Sequence, residues 1–469
     1  MKKAKITFSL VVLLAALSAC VYYNDTSGQN GQPTAQFESS IPLDLAQDLI
    51  AQVHHIWDAD NGDLWGLALH APIMIADPIT RHAVANMPDD EGVLQPMGDI
   101  YLGILPDHVF IGHTATDFAG KTWAMMAWEP MIEQMLEEIP DFRNNMINLM
   151  IHEGFHAIQT QKVVYGEMPA GVDQTLPFLN VSADVRITVL MESKALATAV
   201  SSSGDQRLQA IHDALSIRVH RRDISPEAAL TENAQEILEG LAMFTEILFF
   251  GSPEALAENY LQWVIDGAQS TALSFYPYFT GAMYAILLME YSVMDWQRGI
   301  TFETDLAALL QEALGIETTP FAQLDLERLG YPEIASIQHA WVSNYQRMLA
   351  SAEDFLTQPH LLILGNNSLD SLSIASLEVF TIPNQYGFWD MVQYGNFTIV
   401  GGGWQLVIDG GHSSPSWFPQ VGVFVRHYDN IEINQDASVA TAPTWTLEVT
   451  NPAYTIQITD NNEIVLILR

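Results

Sequence analysis

The chain has 469 residues, with 18 Lys and Arg against 56 Asp and Glu, a formal net charge of −38, and 49% hydrophobic residues. A surface this acidic repels phosphate backbones and anionic headgroups, which excludes nucleic acid as a partner. The single cysteine excludes an intrachain disulfide and a cysteine-ligated zinc site, while the length and apolar content suffice for two or three domains.

The first residues, Met1-Lys2-Lys3-Ala4-Lys5, are basic, and an apolar run extends from Ile6 to Leu17. That run is too short for a spanning helix, which takes about 20 residues, and right for the core of a secretory signal. It ends in Leu17-Ser18-Ala19-Cys20, which resembles the bacterial lipobox. The resemblance implies cleavage before Cys20 and a lipid on its thiol. Residues 1–19 are then a lipoprotein signal peptide, and the protein is anchored to a bacterial membrane outside the cytoplasm. Residues 20–40 are polar and read as a flexible tether.

Residues 41–140 are expected to form an N-terminal lobe. Ile41 to Asp58 carries Leu45, Leu49, Val53 and Trp57 at helical spacing. Between residues 64 and 128 the chain changes to short apolar or alternating runs: Leu64–Leu69, Ala71–Ile75, His82–Asn86, Ile100–Leu105, Val109–Gly112 and Thr122–Trp128. Turn signals such as Asp60-Asn61-Gly62 and Asp77-Pro78 separate them. The pattern predicts an antiparallel sheet.

Arg143 to Gln161 reads as a helix and contains His152-Glu153-Gly154-Phe155-His156, an HExxH motif. Residues four apart share a helix face, so His152 and His156 can aim two imidazoles at one metal ion, and Glu153 can reach a water beside it. The same groups also read as a hydrogen-bonded polar cluster, although burying them together without a cation is costly. Further helices are predicted at Val185–Val200, Gln206–Val219, Pro226–Phe250, Pro253–Asp266, Tyr284–Trp296, Phe302–Leu314 and Pro332–Ala350, giving a helical lobe over residues 141–356.

A catalytic zinc takes three protein ligands and leaves a position for water. Glu192 and Glu239 are both candidates for the third. Glu239 belongs to a run of acids, Glu232, Glu236, Glu239 and Glu246, whose spacing of four, three and seven predicts one shared helix face. A basic cluster, Arg218, Arg221 and Arg222, stands between the two candidates and offers ion-pair partners for buried acids such as Glu192 or Glu232.

Glu239-Gly240-Leu241-Ala242-Met243-Phe244 resembles the E-G-x-A-x-aromatic segment of the gluzincin metallopeptidases, notably their aminopeptidase branch. The resemblance implies Zn2+ as cofactor, with His152, His156 and Glu239 as ligands and Glu153 as general base. Tyr278-Phe279-Thr280-Gly281, ahead of an apolar helix, is similar to the family's Tyr-x-x-Gly segment and implies that the Tyr278 hydroxyl stabilises an oxyanion. Glu239 comes after His156 by 82 intervening residues, far more than in that branch, and Glu192 by 35, so Glu192 remains the alternative third ligand. Gly120–Met126 stands where the branch holds a free amino terminus and lacks the required acid and amide, so exopeptidase cleavage is not implied.

From His360 the sequence returns to alternating apolar runs between Gly, Asn and Asp turns, which predicts a β-sandwich or small barrel over residues 357–469. The expected fold is α+β: an antiparallel sheet packed on a mainly helical metalloprotease-like domain, with a small all-β domain after it. The expected function is that of a lipid-anchored zinc hydrolase acting on a peptide or protein substrate. The alternative is a surface lipoprotein using such a fold as a non-catalytic binding module.

Overall fold

The computed structural model describes residues 39–469, apart from 129–131, 140–141, 171, 173–175, 177, 268–270, 293–294, 358–359, 365–368, 384–388, 402–403, 416–421, 427–430, 450–453, 459–462 and 469. The expected signal peptide, Cys20 and nearly all of the tether lie outside the described residues. The chain divides into two compact units, residues 1–338 and 339–469. Among the described residues no helix is long and apolar enough to cross a membrane.

The first unit opens with helix α1 (Leu43–Asp60), whose Ala46, Leu49, Ile50, Val53 and Trp57 are buried at helical spacing. It ends at Asn61, which adopts the left-handed conformation asparagine tolerates at a helix terminus. Six strands come next: β1 (Ile73–Ala76), β2 (His82–Ala85), β3 (Gln95–Met97), β4 (Ile100–Ile104), β5 (Thr114–Phe118) and β6 (Lys121–Ala127), in the order β3-β4-β2-β1-β6-β5. The expectation of an antiparallel sheet is corrected by one pair: β1 and β6 run parallel, so the sheet is mixed. Short apolar runs specify strands and faces, not direction. Two further runs, Leu64–Leu69 and Val109–Gly112, are not strands, although Leu64, Trp65 and Leu69 are buried in the core. Conversely, the edge strands β3 and β5 lack an apolar run: β3 is exposed throughout, and in β5 only Phe118 is buried.

The central strands are buried on both faces, and alternation divides their side chains. Ile73, Ile75, Val84, Ala124 and Met126 join the main core, whereas Met74, Ala76, Ala83, Ala85, Trp123 and Met125 form a second cluster on the other face. The main core also contains Met146, Met150, Ile151 and Phe155 of the helical part. The sheet and the helices as far as residue 338 therefore share one core within one compact unit.

The helical part comprises α2 (Ile132–Glu138), α3 (Phe142–Ile158), α4 (Phe178–Val181), α5 (Ala183–Ser201), α6 (Gly204–Ile224), α7 (Pro226–Gln235), α8 (Leu241–Phe250), α9 (Pro253–Gly267), α10 (Tyr276–Tyr291), α11 (Leu306–Leu314) and α12 (Tyr331–Thr357). Two π turns interrupt it: Gln159–Val163 directly after α3, and Glu236–Gly240 between α7 and α8. α10 begins eight residues before the predicted start, with Pro277 in its first turn, so Tyr278 and Gly281 lie within the helix and not ahead of it.

The division between the units falls inside α12, ahead of the boundary expected after residue 356. Among its described residues the second unit contains ten strands, from β7 (His360–Leu364) to β16 (Glu463–Leu468), in one hydrogen-bonded sheet. One of them, Trp404–Pro415, pairs along one edge with Trp389–Gly401 and along the other with Trp445–Val449 and then Gly422–Arg426, so the sheet branches there. The β-rich character expected of this stretch is thus seen as ten strands linked by hydrogen bonds into one branched sheet.

Candidate metal centre

α3 packs against β5, β6 and α8, and from Met146 to Ile158 all but two of its side chains are buried. Gly154, between the two histidines, points the opposite way. A Cβ there would stand 2.7 Å from Cζ2 of Trp57, so the glycine lets α1 lie directly on the backbone of α3.

On the other face the imidazoles of His152 and His156 converge, with their Nε2 atoms 3.1 Å apart. Oε2 of Glu239 meets both, 3.1 Å from His156 Nε2 and 3.5 Å from His152 Nε2. Ligands about 2.0–2.1 Å from a tetrahedral zinc stand about 3.3–3.4 Å from one another, so the three separations are close to three edges of that tetrahedron. Among the described residues this is the one group of three ligand atoms so placed.

The remaining ring nitrogens are also engaged. His152 Nδ1 lies 3.4 Å from Oε2 of Glu246, and His156 Nδ1 lies 3.0 Å from Oε1 of Gln159. A carboxylate only accepts, so a neutral His152 facing Glu246 carries its proton on Nδ1 and turns its Nε2 lone pair to the centre. The site favours positive charge. Burial works against protonation of His152, but Glu239 and Glu246 outweigh it and hold the imidazole up at about 10. Burial likewise works against charge on Glu239, and the two imidazoles overcome it, holding the carboxyl well below its ordinary range.

Glu153 is buried beside this group, and burial raises its pKa against the pull of His156 and His152. Tyr278, from α10, lays its ring parallel to that of His152, with centroids 6.2 Å apart. Burial and its hydrogen bond to Glu239 push the phenol well above its usual range, so the hydroxyl remains a proton donor.

Glu192 is elsewhere, and its candidacy as third ligand is corrected. It accepts from the Tyr284 hydroxyl at 2.6 Å and pairs with Arg221 and, at 3.3 Å, with Arg218. Glu232 accepts from Arg221 at 2.5 Å and from Tyr276 at 2.6 Å, while Glu236 takes a forked pair of bonds from Arg218 at 2.6 and 2.8 Å. The basic cluster of the sequence is thus the counterpart of buried acids. The four acids expected on one face divide between two sites: Glu232 and Glu236 meet arginines, Glu239 and Glu246 meet histidines. The cause is the π turn, where the amide of Leu241 bonds back to the carbonyl of Glu236. Its extra residue turns the side chains of Glu239 and Glu246 away from the direction of Glu232 and Glu236.

Glu246 and Gln159 were not singled out as parts of the site from the sequence. Gln159 stands three positions after His156, where a helical side chain reaches back to that imidazole. That spacing was the available signal. No family model, curated protein or solved structure matches this chain.

Proposed function

We propose that this chain is a zinc-dependent hydrolase, built as a metalloprotease-type domain and acting on peptide bonds outside the cytoplasm. The observation that carries the reading is the convergence of His152 Nε2, His156 Nε2 and Glu239 Oε2 at tetrahedral separations, with the other nitrogen of each histidine held by an acceptor. The donor set fits zinc: two imidazoles and one carboxylate, leaving one position for solvent. A zinc ion bound there would polarise a water and bring its pKa towards about 7.

The chain's own groups supply the rest. Glu153 accepts the proton of the attacking water and delivers it to the leaving nitrogen. The Tyr278 hydroxyl, protonated and beside Glu239, donates to the carbonyl oxygen as negative charge develops on it. β5 is the sheet edge beside β6, and both pack on α3; an extended peptide would add alongside β5. A lipid on Cys20 would hold the domain at the membrane, and Cys20→Ser would release it.

The test is metal content together with peptide hydrolysis by the full chain. We expect one zinc per chain in the native protein and in Glu153→Gln, no zinc in His156→Ala, and hydrolysis in the native protein alone. Bound zinc with no hydrolysis of any peptide by the native protein would favour a binding module instead.

A further inference from the structure

Gln159 is fully buried, at the start of the first π turn, and it touches both ligand-bearing elements. Its side-chain nitrogen donates to the carbonyl of Ile237 at 2.6 Å and to that of Leu238 at 3.0 Å, both inside the second π turn, which carries Glu239. Its side-chain oxygen faces Nδ1 of His156 at 3.0 Å.

The orientation of this amide is dictated by its partners. Carbonyl oxygens only accept, so the NH2 group must face Ile237 and Leu238, and the oxygen is left for His156. An amide oxygen also only accepts, so His156 must carry a proton on Nδ1. In the neutral imidazole that a metal ion requires, the lone pair is then on Nε2, the atom that faces Glu239 and His152. The bonds to the second π turn have their own physical reason. Widening a helical turn by one residue displaces carbonyls from their regular i+4 donors, and a buried carbonyl requires a replacement. Gln159 provides two such bonds with one amide.

We propose that Gln159 is a positioning residue for the metal centre: one side chain sets the tautomer of His156 and fixes the distance from α3 to the turn that carries Glu239. The inference rests on the zinc reading above and concerns a residue that is not itself a ligand. It makes zinc affinity depend on Gln159 through two separable arms, acceptor and donor. Gln159→Ala removes both. Gln159→Glu keeps an acceptor for His156 but sets carboxylate oxygens against the carbonyls of Ile237 and Leu238, so it cannot restore the second arm.

The experiment is competition of the folded full-length variants against a chromophoric chelator for zinc, with the visible spectrum of the cobalt-substituted proteins as a second readout. Loss of a partner of this kind costs about 10–100-fold in metal affinity. That loss is expected in Gln159→Ala, and Gln159→Glu should also bind more weakly than the native protein, with altered cobalt band positions or intensities in both. Native affinity and an unchanged cobalt spectrum in Gln159→Ala, with only its melting temperature lowered, would overturn the inference and leave the zinc reading standing. Failure of the native protein to bind zinc would overturn both. Should Gln159→Ala not fold, nitrogen-15 NMR of the zinc-loaded native protein decides: coordination of His156 through Nε2 with a proton on Nδ1 supports the assignment, and coordination through Nδ1 overturns it.

Discussion

Gly240 and Gly281 meet backbone to backbone where the second π turn crosses α10. A Cβ on Gly240 would lie 2.7 Å from Cα of Gly281, and a Cβ on Gly281 would lie 2.7 Å from the carbonyl oxygen of Glu236. No side chain fits between them. This crossing brings α10 close enough for Tyr278 to reach Glu239, and for Tyr276, Thr280 and Tyr284 to reach the acids on the other side of the turn. Gly240→Ala should therefore act on the metal centre as well as on the fold. Overpacking typically costs about 1–3 kcal/mol, and zinc affinity should fall because the turn carrying Glu239 must shift. Thermal unfolding and zinc titration measure the two effects, and a variant that binds zinc as the native chain does would show that the crossing does not place Glu239.

Tyr278→Phe leaves the three ligand atoms untouched and removes one donor. Zinc content and KM should stay near native while kcat falls by about 10²–10³. Loss of zinc in this variant would mean that the hydroxyl serves chiefly to hold Glu239.

Glu246 holds Nδ1 of His152 as Gln159 holds that of His156. Glu246→Ala is expected to weaken zinc binding about 10–100-fold, and Glu246→Gln, which keeps an acceptor, to weaken it less. Native affinity in both variants would show that Glu246 does not support His152.

The arginine cluster makes a prediction for acid stability. Burial disfavours charge on Glu232, but Arg221, Arg218 and Arg222 outweigh it and bring its pKa from 4.5 to about 2. With the folded value below the unfolded one, the stabilisation is present above pH 4.5 and disappears as the pH falls towards 2. Urea midpoints should drop over that window, and Glu232→Gln should flatten the drop. Arg221→Met leaves Glu192 and Glu232 short of a buried partner, a change that typically costs about 3–5 kcal/mol. Midpoints that are equally pH-dependent in the native protein and Glu232→Gln would assign the acid sensitivity elsewhere.

Much of this centre is legible in the sequence. His152 and His156 share a face because a regular helix returns about every 3.6 residues, and α3 is regular through both. The distribution of the acids was not legible, because the expectation for Glu232, Glu236, Glu239 and Glu246 assumed that same period across a π turn that breaks it. No local residue preference announces such a turn; it is sustained by distant partners, namely Gln159 and the crossing at Gly281. Strand direction was hidden for a similar reason, since the parallel pairing of β1 with β6 depends on the route of the chain between them. The pairing of the arginines with Glu192 and Glu232 was visible from scarcity, as a chain with so few bases seldom clusters three without buried acids to meet them.

The turn that carries Glu239 is fastened from behind by Arg218 through Glu236 and from the side by Gln159, and neither bond involves the metal ligands' own coordinating atoms. This dictates an order of assembly. In domains whose ligands are organised only by their ion, withdrawal of the metal unfolds the chain. On the proposed zinc reading the seat would form with the fold and the ion would follow, so a chelator should strip the metal from a protein that keeps its shape, and zinc returned later should bind again.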